Sequence, residues 1–339
     1  MNKAAALVRD WMLPGAIVLG ISLYLFYHYT PALHAAGWWL HPLCSESQRW
    51  VIAVLLFLQF VKISPHDLRF SRWHLGALLV QVLSFGVLAL AVALTPAGNV
   101  RMLLECAMLC MVCPTASAAG VITDRLGGNL AGTVTYLVMI NLAATFLIPL
   151  VIPLVNPSQD MGFWTYVGHL ALKVFPVLVV PGFLAWLIRY TTHKLQRRLM
   201  RWSRYAFYVW GVGLTLAMVM STRALMLSHL SAGAIAGIVL VSMGCCAVQF
   251  VAGRRLGKAS GRAASDRAAL GRASDHADSG TVSQVDSLTA GQALGQKNTG
   301  FLIWLGYHYM TPVTSVAGGL YAVWQNLFNS WELYQKQHR

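Results

Sequence analysis

Long runs of apolar residues, separated by short polar stretches, make up most of this chain. A helix needs roughly 20 apolar residues to cross the hydrocarbon core of a bilayer. By that criterion the pattern predicts ten spans, at residues 11–29, 49–65, 74–95, 100–123, 131–154, 163–189, 205–225, 231–252, 290–309 and 312–331. We therefore expect an all-α integral membrane protein with ten transmembrane helices.

Composition and charge agree with this pattern. Hydrophobic residues form 57% of the 339 residues and charged residues only 11%, against about 25% charged residues in a soluble domain. The formal net charge of +14 would also suit a nucleic-acid binder, but the basic residues concentrate in alternate loops, as membrane topology requires. Only Arg49, Arg101 and Arg223 fall in the opposite loops, and Lys173 and Lys297 lie within spans. We expect a multi-pass protein of the bacterial inner membrane, with both termini in the cytoplasm and no nucleic-acid partner.

Two of the spans are interrupted by polar, glycine-rich segments. Residues 113–120 read CPTASAAG inside the fourth span, and residues 288–300 read LTAGQALGQKNTG where the ninth begins. Irregular backbone at membrane depth is tolerated only where it is buried in protein or lines a cavity. Interrupted segments at corresponding places in two halves of a chain point to a transporter's binding site.

The ten spans divide as five plus five, at residues 1–156 and 157–339. Because five is odd, the second half would enter the membrane from the opposite side, which gives two inverted five-helix repeats. Residues 256–287 are rich in Ser, Ala, Gly, Asp and Arg and have few large apolar side chains. Such a composition predicts a flexible cytoplasmic loop between spans 8 and 9, with a regulatory role for that loop as the alternative.

Several motifs, in order along the chain, resemble those of the bile acid–sodium symporter superfamily. Residues 113–129, CPTASAAGVITDRLGGN, resemble the pattern C-P-G-G-T-A-S-N-V-x-T-x-L-x-x-G-N without a gap. Residues 58–68, LQFVKISPHDL, resemble a helix ending of the type G-L-x-L-x-P-x-D-F. Residues 295–300, GQKNTG, resemble the end of E-x-G-x-Q-N-x-G, and residues 322–326, AVWQN, resemble S-V-W-H-N.

The resemblance implies a ten-helix fold with a panel domain (helices 1, 2, 6 and 7) and a core domain (helices 3–5 and 8–10). In that fold, discontinuous helices 4 and 9 cross at their unwound centres, and one domain rocks against the other to give alternating access. Family substrates are mostly small or amphipathic organic anions, so an organic anion is the partner expected for this chain.

The sodium ligands of the family are largely missing. Sodium is bound by oxygen ligands, as a hard cation requires. The family's Ser-Asn pair on helix 4 corresponds here to Ala119 and Gly120, and its helix-9 glutamate corresponds to Ala293. Gln81 and Thr133 remain as leftovers of an ion-coupling site. No cofactor or metal is expected, and coupling to sodium in the usual way is not expected, whereas proton coupling stays open.

Lys297 occupies the position of the family's helix-9 glutamine. A lysine at mid-membrane costs at least about 2.5 kcal/mol, so it requires a partner or a water-filled cavity. Its ammonium could replace the sodium charge, exchange a proton, or pair with an anionic substrate. The structural alternative is a lysine that extends to the cytoplasmic interface.

The other candidate substrate-binding residues are small and polar. Four of them, Thr115, Ser117, Asn298 and Thr299, surround the two interruptions. Gln325 and Asn326 correspond to a His-Asn pair of the family. The alternative is that these side chains only satisfy unwound backbone.

Three further groups of residues carry reactive or ionisable side chains. Cys106, Cys110 and Cys113 share one helix face and could bind a soft metal, although packing is the simpler interpretation. Glu105 is expected to pair with Arg101 four residues earlier, with a protonatable group in the outer vestibule as the alternative. His169 and Lys173 share a face of span 6 and are expected to be structural or interfacial.

The sequence contains no nucleotide-binding loop and no catalytic constellation, so an enzyme is not expected. The leading hypothesis is a secondary active transporter of an organic anion. An exporter or facilitator is the alternative within transport, and a membrane receptor with a transporter fold is the alternative outside it.

Overall fold

The computed structural model describes residues 3–270 and 279–338, and helices form most of this part of the chain. The helices are α1 Lys3–Tyr29, α2 Gly37–Phe60, α3 Arg72–Leu94, α4 Asn99–Val112, α5 Ala119–Arg125, α6 Leu130–Val155, α7 Phe163–Leu178, α8 Val180–Thr191, α9 His193–Trp202, α10 Ala206–Ser228, α11 Ala232–Leu270, α12 Ser279–Gly295, α13 Thr299–Tyr309 and α14 Ser315–Gln337. The predicted all-α class is confirmed.

Each predicted span coincides with one helix or one pair of helices. By length and apolar composition, α3, α6, α10 and the Ala232–Ala263 part of α11 can each cross a membrane, and two bent pairs raise the number to six. Those pairs are Pro14–Tyr29 with Pro31–Phe60, bent by 103°, and α7 with α8, bent by 41°. The count of ten crossings and the inverted repeats stay predictions.

The surface of the bundle is apolar over much of its length, as a lipid-facing surface must be. Leu94 and Leu172 are each 76% exposed and Val87 is 67% exposed. So many exposed large apolar side chains are rare on a soluble monomer, and they indicate contact with a membrane. The buried centre is formed instead by helices such as α4, which contributes Leu109, and α13, which contributes Trp304.

The prediction of a flexible loop at residues 256–287 is wrong for most of that range. Residues 256–270 continue α11 and residues 279–287 begin α12, and these two helices pack along each other. Residues 271–278 lie outside the described part of the chain. The physical reason for the helical packing is that a glycine recurs at every fourth position of α11 from Gly253 to Gly261.

Gly253, Gly257 and Gly261 bring the two helix backbones into contact. A Cβ on Gly257 would meet the backbone carbonyl of Asp286, and one on Gly261 would lie 2.6 Å from the Cα of Ser283. Small residues at this spacing let helices approach closely in membranes. Two hydroxyls add cross-links, since Ser283 donates to the Lys258 carbonyl at 3.2 Å and Ser287 to the Arg254 carbonyl at 3.0 Å.

Candidate functional site at the crossing of two broken helices

The two predicted interruptions are both present, and they meet. The chain is unwound at residues 113–118, between α4 and α5, and again at residues 296–298, between α12 and α13. An antiparallel bridge pairs Thr115 with Lys297. The Ala116 N–H donates to the Gln296 carbonyl at 2.9 Å, and the Asn298 N–H donates to the Pro114 carbonyl at 2.8 Å. The backbone groups freed by one break are therefore satisfied by the other, as burial in an apolar interior requires.

The second break is shorter than the polar segment at residues 288–300 suggests. Residues 288–295 are helical, and only three residues are unwound before α13 begins. Glycine serves here for close packing, because a Cβ on Gly291 would lie 2.6 Å from the Arg254 side chain and one on Gly295 would meet the ring of Phe250. The Asn298 side chain then starts α13 by accepting a hydrogen bond from the Phe301 N–H at 3.2 Å, a typical N-cap contact.

Polar side chains from neighbouring helices fix the first break. Gln81 of α3 donates to the Val112 carbonyl at 3.1 Å and to the Cys113 carbonyl at 2.8 Å, which caps the end of α4. Its own carbonyl oxygen accepts from the Tyr136 hydroxyl at 2.8 Å. Pro114 lacks an N–H, which accounts for the end of α4 at this point.

The second break is fixed from α14 in the same way. Gln325 accepts the Lys297 N–H at 2.8 Å and donates to the Lys297 carbonyl at 3.3 Å. The Tyr321 hydroxyl donates to the Gly295 carbonyl at 2.8 Å and lies 3.0 Å from the Gln249 amide nitrogen. These contacts hold the Lys297 backbone and leave its ammonium free.

The Lys297 side chain is fully buried at this crossing. Its exposed fraction is 0%, and Nζ has no hydrogen-bond partner among the described residues. A lysine that extends to an aqueous interface would be exposed, so the structural alternative drawn from the sequence does not fit.

Not every candidate residue from the sequence reaches this crossing with a free side chain. Thr115 is fully buried and its hydroxyl donates to the Ala293 carbonyl at 2.7 Å. Thr299 is the first residue of α13 and is 9% exposed, whereas Ser117 is half-buried in the first break. Asn326 is half-buried and donates to the Ala322 carbonyl of its own helix at 2.7 Å.

The residues at the family's sodium positions do not offer a set of oxygen ligands. Ala119 and Ala293 are fully buried and have no side-chain oxygen. The Gln81 amide is engaged at the first break. The Thr133 hydroxyl donates to the Asn129 carbonyl at 3.2 Å and lies 3.1 Å from the Thr123 hydroxyl.

Glu332 is a buried carboxylate that the sequence pattern did not reveal. It is 6% exposed and forms an ion pair with Arg254 of α11. The Gln292 amide also donates to it, and the Gln296 amide donates to Gln292. This chain of contacts runs from the packed pair of α11 and α12 to the second break. The missed signal was an acidic residue that follows the tenth span directly, where α14 continues to Gln337.

Two other candidate groups can be placed as well. Arg101 and Glu105 form the expected ion pair, with Nε 3.3 Å from Oε1. Cys106, Cys110 and Cys113 are all buried on α4 or at its end. The described residues contain no group of three or more His, Cys, Asp or Glu side chains placed to hold a metal ion, so the soft-metal alternative gains no support.

Comparison with known proteins gives the family. The model of the SBF-like CPA transporter family matches residues 11–270, which is more than half of the chain and includes the first break but ends before α12. No curated protein matches the chain. Together with the apolar helices, the match indicates a multi-pass membrane protein. The chain belongs to the SBF-like CPA transporter family, which is related to the bile acid–sodium symporters.

Proposed function

We propose that this protein is a secondary active transporter that moves a small or amphipathic organic anion across the bacterial inner membrane by alternating access. The observation that carries the proposal is the buried Lys297 ammonium at the crossing of two broken helices. In this proposal both termini lie in the cytoplasm, and the five-helix halves at residues 1–156 and 157–339 form inverted repeats.

The electrostatics of the crossing favour an anion. The ammonium has no hydrogen-bond partner among the described residues, and an unpaired charge at this depth is unfavourable by at least about 2.5 kcal/mol. The N-terminus of α13 begins two residues after Lys297, and the positive end of its dipole adds to the same field. A carboxylate bound here would supply the missing counter-charge.

The same ammonium supports transport that does not depend on sodium. It lies among residues that take the family's ion-binding positions, and Ala119 and Ala293 supply no oxygen there. In this proposal the fixed positive charge replaces the ion. Proton exchange at Lys297 is the alternative mechanism, and a pH gradient across the membrane distinguishes the two.

The test is uptake of labelled carboxylates into proteoliposomes that contain the purified protein. We expect counterflow of a substrate at equal rates with sodium or choline in the buffer, and loss of that counterflow in Lys297→Gln. Unchanged counterflow in Lys297→Gln would refute the role of the ammonium. Flux direction under imposed gradients separates uptake from export or facilitated diffusion. Ligand binding without any counterflow would indicate a receptor and refute the proposal.

A further inference from the structure

A partly polar cavity lies away from the crossing, at the end of the bundle where α4 begins. Its volume is about 690 Å³, within the range of about 300–1,000 Å³ typical of ligand sites. Arg101, Glu105, Asn156, Arg223, Tyr307 and Val313 contribute to its wall. We call this cavity the vestibule. The charge bias of the loops predicts that this end of the bundle faces outside.

Arg101 is not free to bind a ligand in the vestibule. Its Nε donates to Glu105 at 3.3 Å, Nη1 to the Thr95 carbonyl at 3.2 Å and Nη2 to the Val155 carbonyl at 2.6 Å. These contacts hold the guanidinium in place and neutralise its charge. Arg101 therefore serves to position Glu105.

Glu105 has one oxygen left over. Oε1 accepts from Arg101, whereas Oε2 is buried and has no partner among the described residues, although the side chain lines the vestibule. Glu105 is only 4% exposed, and a buried carboxylate oxygen without a hydrogen bond is unfavourable. A ligand with a hydroxyl or ammonium donor would satisfy it.

Arg223 of α10 supplies the uncompensated positive charge. It lines the vestibule and lies over the ring of Tyr307, with the guanidinium carbon 5.8 Å from the ring centroid. Within the described part of the chain it has no ion pair and no hydrogen bond. A guanidinium presents several donors in one plane and binds carboxylates bidentately.

The remaining wall of the vestibule is largely apolar. Met102, Leu227, Leu230 and Val313 contribute to it. A ligand that fills the vestibule would place an apolar body against these side chains. Among the described residues, the cavity thus combines the Arg223 guanidinium, the unpaired Glu105 oxygen and an apolar surface.

We propose that the vestibule binds an amphipathic carboxylate that also carries a hydroxyl or ammonium group. The carboxylate pairs with Arg223, the donor binds Oε2 of Glu105, and the apolar body packs against Met102 and Leu227. This proposal deepens the proposed transport function by naming a substrate class, and it rests on that function only in treating the ligand as cargo. The anion would bind in the vestibule first and then move to the crossing.

The test uses three matched probes on the purified full-length protein in nanodiscs. Mandelate has the carboxylate, the hydroxyl and an apolar ring, phenylacetate lacks the hydroxyl, and mandelamide lacks the charge. We expect mandelate to bind about tenfold to 100-fold more tightly than either analogue, because each lost contact involves a charged group. Titration calorimetry measures the three dissociation constants. Equal affinity for mandelate and phenylacetate would overturn the proposal.

Variants assign the contacts to residues. Arg223→Gln should weaken the binding of mandelate about tenfold to 100-fold. Glu105→Gln should lower the affinity for mandelate to that for phenylacetate, and it should leave the affinity for phenylacetate unchanged. Arg49→Gln is the matched control, since Arg49 pairs with Glu46 at 2.5 Å and does not line the vestibule. Unchanged mandelate affinity in Arg223→Gln would refute the site. The wild-type probe series decides the question if either variant fails to fold.

Binding and transport can fail separately. If mandelate binds through Arg223 but shows no counterflow, the vestibule is a binding site, and the proposal that the protein transports this class of ligand is refuted. If Arg223→Gln leaves the counterflow of mandelate unchanged, transport is supported, and binding in the vestibule before the crossing is refuted. Lys297→Gln should retain mandelate binding, and its loss there would place the ligand at the crossing instead.

Discussion

Replacement of Lys297 by methionine should make the protein more stable and inactive. Methionine has nearly the length of the lysine side chain and no charge. The crossing uses only the backbone of Lys297, through the bridge to Thr115 and the two hydrogen bonds to Gln325. The substitution therefore removes the ammonium and keeps the contacts that hold the two breaks together.

The size of the effect follows from the environment of Nζ. The side chain is 0% exposed and its nitrogen has no partner among the described residues. Insertion scales assign about 2.5–3.5 kcal/mol to a lysine at the centre of a membrane helix, and removal of that penalty should raise the free energy of unfolding by about 2–3 kcal/mol. With an unfolding entropy of about 2.1 cal/mol/K per residue, the melting temperature of this chain should rise by roughly 3–4 °C.

The assay is a thermal melt of the detergent-solubilised protein followed by size-exclusion chromatography, run beside the uptake assay. Lys173→Met is the matched control, because Lys173 is half-buried beside a surface cavity and its replacement should change stability by less than about 0.5 kcal/mol. A melting temperature for Lys297→Met below that of the wild type would refute the reasoning. That outcome would mean that the ammonium stabilises the fold through a partner of its own.

The remaining predictions concern the helices around the crossing and the coupling ion. Gly257→Ala should destabilise the protein by about 1–3 kcal/mol, because the new Cβ meets the Asp286 carbonyl and overpacking is unfavourable by that amount. On the same helix, a Cβ at Gly244 would have open space around it, so Gly244→Ala should stabilise the protein by up to about 1 kcal/mol. Equal melting temperatures for the two variants would contradict the close contact between α11 and α12. Gln81→Leu should destabilise by about 2–4 kcal/mol, since the hydrogen bonds at the first break are lost and the Tyr136 hydroxyl is left unpaired, and an unchanged melt would show that this amide does not cap α4. Replacement of sodium by choline should leave the uptake rate unchanged, because a hard cation needs oxygen ligands and Ala119 and Ala293 supply no side-chain oxygen. A strict requirement for sodium in the flux assay would contradict this expectation.

The positions of the breaks could be predicted because their causes are local. A proline at 114 and a run of small and polar residues cannot continue a membrane helix without partners, wherever the chain leads next. A contact between the two breaks, such as the bridge of Thr115 with Lys297, is also favoured by the sequence. Two interruptions in one bundle can satisfy each other's unpaired backbone N–H and carbonyl groups. The side-chain assignments were less accessible. Whether Gln325 faces a ligand or holds the Lys297 backbone depends on the register of α14 against α12, which no local pattern encodes.

The hairpin of α11 and α12 was mistaken for a loop for a different physical reason. A composition poor in large apolar residues suggests disorder when burial is assumed to come from large side chains. Here burial comes from direct contact of two backbones, for which Gly253, Gly257 and Gly261 are the required residues. The sequence does carry the signal, because glycines four residues apart indicate a closely packed helix pair.

The bridge between the two breaks has a consequence for how the protein is made. Cys113 and Asn298, which contact each other at the crossing, are 185 residues apart. During synthesis the first break is therefore inserted long before the second one leaves the ribosome. Unpaired backbone groups are unfavourable in lipid, so the nascent fourth span must wait in water or against the insertion machinery until residues 296–298 arrive. Maturation of this membrane protein is thus expected to end with a late docking step rather than to proceed helix by helix.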